Sequence, residues 1–118
     1  MTAFKLALEI EQGATFQKII TWKAGTPAVP VAIAGCQARM QIRERIDSTE
    51  TLLSLTTENG GIVLDTITGT ITMQASATQT RNITKHNGVY DLEIQFPDAT
   101  VRRLLSGLVN ISHTVTRG

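Results

Sequence analysis

The sequence contains few of the residues on which cross-links, catalysis and base stacking depend. Its 118 residues include one cysteine, two histidines, three prolines and five aromatic residues. A single cysteine excludes an internal disulfide, and so few aromatic side chains leave little material for platforms that stack bases or sugars. The formal net charge of +1 does not fit the strongly basic surface typical of nucleic-acid binding. We therefore expect no nucleic-acid partner.

Long apolar runs are also missing. No stretch approaches the roughly 20 apolar residues of a membrane-spanning helix, and no charged and then apolar leader precedes the first strand pattern. We expect neither a membrane partner nor a signal peptide. A chain of this length forms one core, so we expect one domain over residues 1–118.

The sequence is instead rich in β-branched residues, which favour strands. Eighteen threonines, twelve isoleucines and seven valines make up 37 of the 118 residues, and such side chains pack well on a pleated surface. Alternation of apolar and polar residues indicates where the strands lie. The predicted strands cover residues 3–11, 15–23, 36–43, 52–58, 62–64, 69–75, 90–96 and, interrupted near Gly107, 100–116.

Turn and helix signals separate these strands. Residues 24–30 predict a loop, and Asn59-Gly60-Gly61 and Pro97-Asp98 predict tight turns. Ser76 and Gln79 have the spacing of a capping box and predict one helical turn through Ile83. Gly107 predicts a bulge in the last strand.

This element order predicts an all-β protein. We expect a single immunoglobulin-like β-sandwich of about 7–9 antiparallel strands, with one short helical turn before the penultimate strand. No helical pattern of 10–15 residues is present to build a parallel sheet. Tyr90, near the start of the penultimate strand, has two interpretations: a tyrosine corner, whose hydroxyl reaches back toward the preceding loop, or a plain core aromatic.

Charged residues define the candidate partner-facing surface. In an immunoglobulin-like order, the strand that contains Arg39 and Arg43 lies beside the strand that contains Asp91 and Glu93. This arrangement predicts a ladder of opposite charges across the two strands. Arg102 and Arg103 extend this candidate surface. Because acids interleave with the arginines, a mixed solvated sheet face is favoured over a nucleic-acid surface.

Catalytic and metal-binding patterns find little support. Cys36 would need His86 or His113 nearby to act as a nucleophile, and a lone cysteine at the head of a strand is more often a small core residue. No Cys-x-x-Cys, His-x-x-x-His or clustered Asp loop is present, so we expect no metal and no cofactor. The acids Asp47, Glu50, Asp65 and Asp98 fall in predicted turns, where solvation is their expected role. We expect a binding or structural protein rather than an enzyme.

Several segments together resemble a group of small tailed-bacteriophage structural proteins. They are LALEIEQGATF (6–16), ITWK (20–23), PVAIAGCQARMQIR (30–43), LTTENGGI (55–62), GTI (69–71), GVYDLE (88–93), VRRLLSG (101–107) and VTR (115–117). The resemblance covers nearly the whole chain, and its motifs mainly specify strands and turns. One departure is Ser112-His113-Thr114, where the resemblance leads us to expect a proline before the final Val-Thr.

The resemblance implies a function without catalysis. Similar segments occur as immunoglobulin-like sandwiches in virion proteins, including modules of baseplate and upper-tail proteins. It implies a virion component, assembled in the host cytoplasm, that contacts other virion proteins in several symmetric copies. The alternatives are a capsid decoration or head–tail joining protein of the same fold, or a module that binds host glycans or proteins, for which Trp22 is the residue to examine.

Overall fold

Eleven strands and one short helix make up the described part of the chain. The computed structural model describes residues 3–24, 26 and 29–116. In chain order the elements are β1 (Phe4–Lys5), β2 (Leu8–Glu11), β3 (Phe16–Thr21), β4 (Lys23–Ala24), β5 (Val29–Pro30), β6 (Gln37–Arg43), β7 (Leu53–Thr56), β8 (Ile62–Asp65), β9 (Thr70–Ala75), α1 (Ala77–Arg81), β10 (Asn87–Gln95) and β11 (Val101–Ser112). No helix among these elements is long and apolar enough to cross a membrane. The ends of the predicted domain, residues 1, 2, 117 and 118, and residues 25, 27 and 28 of the predicted loop lie outside the described residues.

The strands form two main sheets. The large sheet has the order β1-β11-β10-β6-β7, with β2 also paired to β11, and the small sheet has the order β3-β9-β8. This division matches an immunoglobulin sandwich, in which the second, fourth and fifth sandwich strands lie opposite a sheet of the third, sixth and seventh. The predicted all-β, immunoglobulin-like class is therefore confirmed. In one detail the structure differs from the expectation of antiparallel pairing, because β1 and β2 run parallel to β11.

Alternating apolar residues from both sheets meet in one core. The large sheet contributes Met40, Ile42 and Leu92, and the small sheet contributes Ile71 and Met73, all at most 1% exposed. Each fully buried side chain of this size stabilises the fold by about 1.5–3 kcal/mol relative to an exposed one. The strand parity predicted for residues 36–43 and 90–96 is the one observed.

The N-terminal strands lie against the centre of β11. A Cβ atom at Gly107 would stand 2.3 Å from the Leu6 carbonyl oxygen, so only glycine allows this close approach. The Tyr90 hydroxyl donates a 2.7 Å hydrogen bond to the same carbonyl oxygen. The tyrosine-corner interpretation is thus wrong about the partner, because the hydroxyl reaches the N-terminal segment rather than the preceding loop.

The bulge lies elsewhere than predicted. β11 is continuous through Gly107, and the register shifts between Leu92 and Glu93, which pair with Leu105 and Arg103. Leu104 is therefore the extra residue, and both Leu104 and Leu105 are buried. Two adjacent leucines can both point into the core only if the strand is bulged there, because regular alternation would turn one of them outward.

The helix carries the predicted cap and links the two sheets. Ser76 accepts from the Gln79 N–H, and the Gln79 side chain accepts from the Ser76 N–H, which completes the capping box. Thr80 is fully buried, and its hydroxyl donates to the Ala14 carbonyl oxygen and accepts from the Gly13 N–H. The helix therefore holds the turn that carries the chain from the large sheet to the small one.

Part of the predicted loop is a hairpin. β4 and β5 pair antiparallel, with Ala24 opposite Val29. Apart from Lys23, their residues lie within the predicted loop of residues 24–30. The predicted strand 3–11 is divided at residues 6 and 7 into β1 and β2. Its register against β11 is the same on both sides of the division.

Candidate interaction surface

The outward side of the large sheet is the candidate surface, and we call it the ladder face. Asp91 and Glu93 lie on β10, the central strand, between Arg39 on β6 and Arg103 on β11. Arg39 Nε lies 2.9 Å from Glu93 Oε1, and Arg103 Nε lies 3.4 Å from Asp91 Oδ2. Both arginine side chains are more than half exposed, so each pair adds only about 0.5 kcal/mol to stability. The charges therefore serve the chemistry of the surface more than the stability of the fold.

The predicted ladder is right for Arg39 and Glu93, which face each other in register, but wrong for Arg43. Arg43 turns toward the loop after β6, where it donates to the carbonyl oxygens of Ser48 and Thr49 at 2.8 and 3.1 Å. The Gln41 side-chain oxygen accepts a further bond from it at 2.9 Å. Two loop carbonyl oxygens and one side-chain amide oxygen therefore hold the Arg43 guanidinium, and none of the ion pairs among the described residues includes it.

The two consecutive arginines on β11 have separate roles. Arg103 stands opposite Glu93 on the ladder face, whereas Arg102 stands opposite the buried Ile94 and leaves that face. The Arg102 guanidinium carbon lies 5.8 Å from the centre of the Phe96 ring, within cation–π range. Arg102 therefore lies outside the candidate surface.

An open depression of about 680 Å³ occupies the ladder face. Its charged side contains the ion pairs and Lys5, whose Nζ donates to the Ser106 hydroxyl at 3.1 Å. Its other side is apolar: Leu108 is 69% exposed and Ile46 is 89% exposed, and Val89 stands opposite Leu108 in register. Exposed apolar side chains beside a polar rim are the usual composition of a protein contact.

Cys36 and the histidines lie at opposite ends of the large sheet. Cys36 directly precedes Gln37, which pairs with Gln95, the last residue of β10. His86 directly precedes Asn87, the first residue of β10. Nine strand residues at about 3.3 Å each separate them by roughly 30 Å. The His113 ring stacks on the His86 ring with centres 4.0 Å apart, so His113 lies at the same end of the sheet as His86. Burial, and then the charge of Asp98, raises the pKa of the Cys36 thiol, which opposes formation of a thiolate at neutral pH.

Trp22 packs into the body of the protein. It is partly buried against the core, and its ring centre lies 6.2 Å from that of Phe96, at a tilt of 57°. Trp22 therefore contributes part of its ring to packing around the core, and the glycan-binding alternative stays a prediction. Among residues 3–24, 26 and 29–116, no group of three or more His, Cys, Asp or Glu side chains could hold a metal ion.

Sequence analysis missed the apolar side of the depression and the hydrogen bonds of the Gln12 side chain. Ile46 lies in a polar segment, and Leu108 directly follows Gly107, where the last strand was predicted to be interrupted, so neither was assigned to a face by periodicity. Gln12 also gave no signal: its amide nitrogen donates to the Ile83 carbonyl oxygen at 2.8 Å, and its amide oxygen accepts from the Thr114 N–H.

The comparisons with known proteins add little to this geometry. No family model and no curated protein matches the chain. One solved structure that it matches is Drosophila OTK, extracellular domains 3-5, with 14% identity and a TM-score of 0.34, over 89% of this chain and 32% of that one. This chain therefore spans about a third of the length of that structure. The immunoglobulin-like class stands on the strand order and register described above.

Proposed function

We propose that the chain is a non-enzymatic structural component of a tailed-phage virion. In this proposal it acts as an adaptor or stabiliser of the tail or baseplate and assembles with other virion proteins through the ladder face. The resemblance of its strand and turn segments to small phage structural proteins supports the virion assignment. The depression that joins the ion pairs to Leu108 and Ile46 supports contact with a protein partner.

The described geometry also favours a contact over a reaction. A nucleophile at Cys36 would need a histidine within hydrogen-bond reach, and His86 lies at the far end of β10. The ladder face instead offers fixed opposite charges, which select a partner and its register, beside apolar area, which supplies affinity. A weak contact of this kind becomes firm when a symmetric assembly repeats it.

Purified phage particles from the source of this sequence provide the first test. We expect the chain among the particle proteins by mass spectrometry, and electron microscopy of labelled particles should place it in the tail or baseplate. A few to a few dozen copies per particle favour that position, whereas hundreds favour a capsid decoration protein. Absence of the chain from washed, infectious particles would refute the virion assignment.

A pair of variants tests the surface itself. Leu108→Glu adds a carboxylate to the apolar side of the depression, and we expect it to reduce incorporation into particles at least tenfold in a complementation assay. Ile67→Glu is the matched control, because Ile67 is 86% exposed in the turn between β8 and β9. Equal incorporation of the two variants would show that the ladder face does not make the contact.

A further inference from the structure

The strand β3 has an open edge. It pairs with β9 alone among the described strands, and the Trp22 N–H donates to the Gly69 carbonyl oxygen at 2.8 Å, in continuation of the same ladder. Backbone groups alternate in direction along an antiparallel strand, so the even-numbered residues of β3 bond to β9. The N–H and C=O groups of Gln17, Ile19 and Thr21 therefore point away from the sheet, where no described residue pairs with them.

The β7 edge of the large sheet differs from the β3 edge because a side chain bonds to its outward backbone groups. The Asn59 side chain folds back along it: its oxygen accepts from the Thr56 N–H at 2.9 Å, and its nitrogen donates to the Ser54 carbonyl oxygen at 3.1 Å. One side chain thus pairs one outward backbone group at each of Ser54 and Thr56, which opposes strand addition there. β3 has no such cap among the described residues, although it is the longer strand.

We propose that β3 pairs with β3 of a second copy of this chain. The two strands would run antiparallel about a twofold axis, with Ile19 opposite Ile19 of the second copy. Gln17 then pairs with Thr21 of the second copy and Thr21 with its Gln17, so all three outward residues of each strand find partners and form six hydrogen bonds. The two small sheets join into one six-stranded sheet.

The pattern of this edge selects that register. A shift by one residue would oppose outward backbone groups to residues whose groups are already paired. A shift by two residues loses one of the three pairs, and in one direction it also places Lys18 opposite Lys18 of the second copy. In the chosen register Lys18 stands beside Ile20 of the second copy, and the two Ile19 side chains, each 57% exposed, cover each other.

The partner follows from the same symmetry. Ile19 is the exposed apolar side chain of β3 and lies at the centre of its three outward positions, so an antiparallel copy of the same strand meets it with an identical apolar side chain while all three outward positions pair. A six-residue edge covers much less than the roughly 1,200 Å² of a stable complex. We therefore expect a weak dimer in solution that becomes effective where copies are held close together. This pairing does not depend on the ladder face or on the virion assignment.

Sedimentation equilibrium of the purified chain from 10 µM to 1 mM tests the proposal. We expect a reversible monomer–dimer equilibrium, and Ile19→Lys should raise its dissociation constant about tenfold or more, because it replaces an apolar pair with facing like charges. Val63→Lys is the matched control: Val63 is 49% exposed on the same face, two strands from Ile19 in register. It should leave the dissociation constant within twofold.

Mixing charge variants tests the register. The Ile19→Lys and Ile19→Glu variants, each mainly monomeric alone, should dimerise when mixed, because opposite charges then face each other at the twofold axis. A chain that stays monomeric at 1 mM overturns the proposal. A dimer that Val63→Lys weakens as much as Ile19→Lys does would also overturn it, because the contact would then lie on the sheet face. A mixture of the two charge variants that remains monomeric would overturn it as well. The virion assignment and the ladder-face contact are judged separately, by the presence of the chain in particles and by the comparison of Leu108→Glu with Ile67→Glu.

Discussion

Tyr90→Phe separates one hydrogen bond from the packing of the ring that carries it. The Tyr90 side chain is buried, and its hydroxyl donates to the Leu6 carbonyl oxygen at 2.7 Å. Phenylalanine keeps the ring in the core and leaves that partly buried carbonyl without its donor. A lost hydrogen bond of this kind costs about 1–2 kcal/mol. For a domain of this size, we expect the melting temperature to fall by roughly 5 °C.

The pH dependence of this variant gives a second and independent signature. Burial raises the pKa of Tyr90 to about 12, from an ordinary value of 10. Below pH 10 the hydroxyl is protonated in both the folded and the unfolded chain, so its stabilising effect is complete there. As the pH rises from 10 toward 12, the unfolded chain ionises first, and the contribution is lost. The difference in stability between wild type and Tyr90→Phe should therefore shrink over this range.

Urea unfolding followed by Trp22 fluorescence measures both effects. The free energy of unfolding is determined for the two proteins at pH 7, 9, 10, 11 and 11.5. The lysines also titrate at high pH, so the comparison uses only the difference between the proteins, in which their contribution cancels. Equal stability at pH 7, or a difference that stays constant up to pH 11.5, would refute the role assigned to this hydroxyl.

Three further substitutions have defined outcomes. Gly107→Ala places a Cβ atom 2.3 Å from the Leu6 carbonyl oxygen, so thermal unfolding should show a loss of about 1–3 kcal/mol; an unchanged melting temperature would contradict the close approach. Asn59→Ala uncovers the β7 edge, and light scattering should show more concentration-dependent association than in wild type. Hydrogen bonds from the Thr68 and Ile67 N–H groups lower the pKa of Asp65, so its contribution is present above about pH 4 and lost below it; acid unfolding of Asp65→Asn should be less steep there than that of wild type.

Most of the fold could be predicted because its signals are local. Alternation over residues 36–43 and 90–96 specified which side chains enter the core, and Ser76 with Gln79 specified the helix start. The partner of the first strand had no such signal. Alternation determines the face that a strand buries, but not whether its neighbour runs parallel or antiparallel. The approach of Leu6 to Gly107 and the bulge at Leu104 depend on this pairing, so they escaped prediction too.

The candidate surface was predictable only where strand register determined it. Arg39 and Glu93 meet because β6 and β10 are neighbours in register, a relation that follows from the sandwich order. Arg43 has the same parity but lies at the end of its strand, where loop carbonyls compete for it. Ile46, in the loop after β6, and Leu108, on β11, line the same depression although they are distant in sequence. Such a juxtaposition has no periodic signature, and it requires the three-dimensional fold.

The two proposed contacts lie on different sheets and can therefore operate together. The ladder face belongs to the large sheet, and the open edge belongs to the small sheet. A twofold axis between antiparallel strands stands perpendicular to the sheet that they form. In a dimer joined at β3 it would place both large sheets on the same side of the joined small sheets. Two ladder faces would then point the same way, so a partner with two matching sites could engage both at once. Linking the sites in this way raises the effective concentration of the second contact, so β3 pairing would strengthen attachment at the ladder face without adding any residue to it.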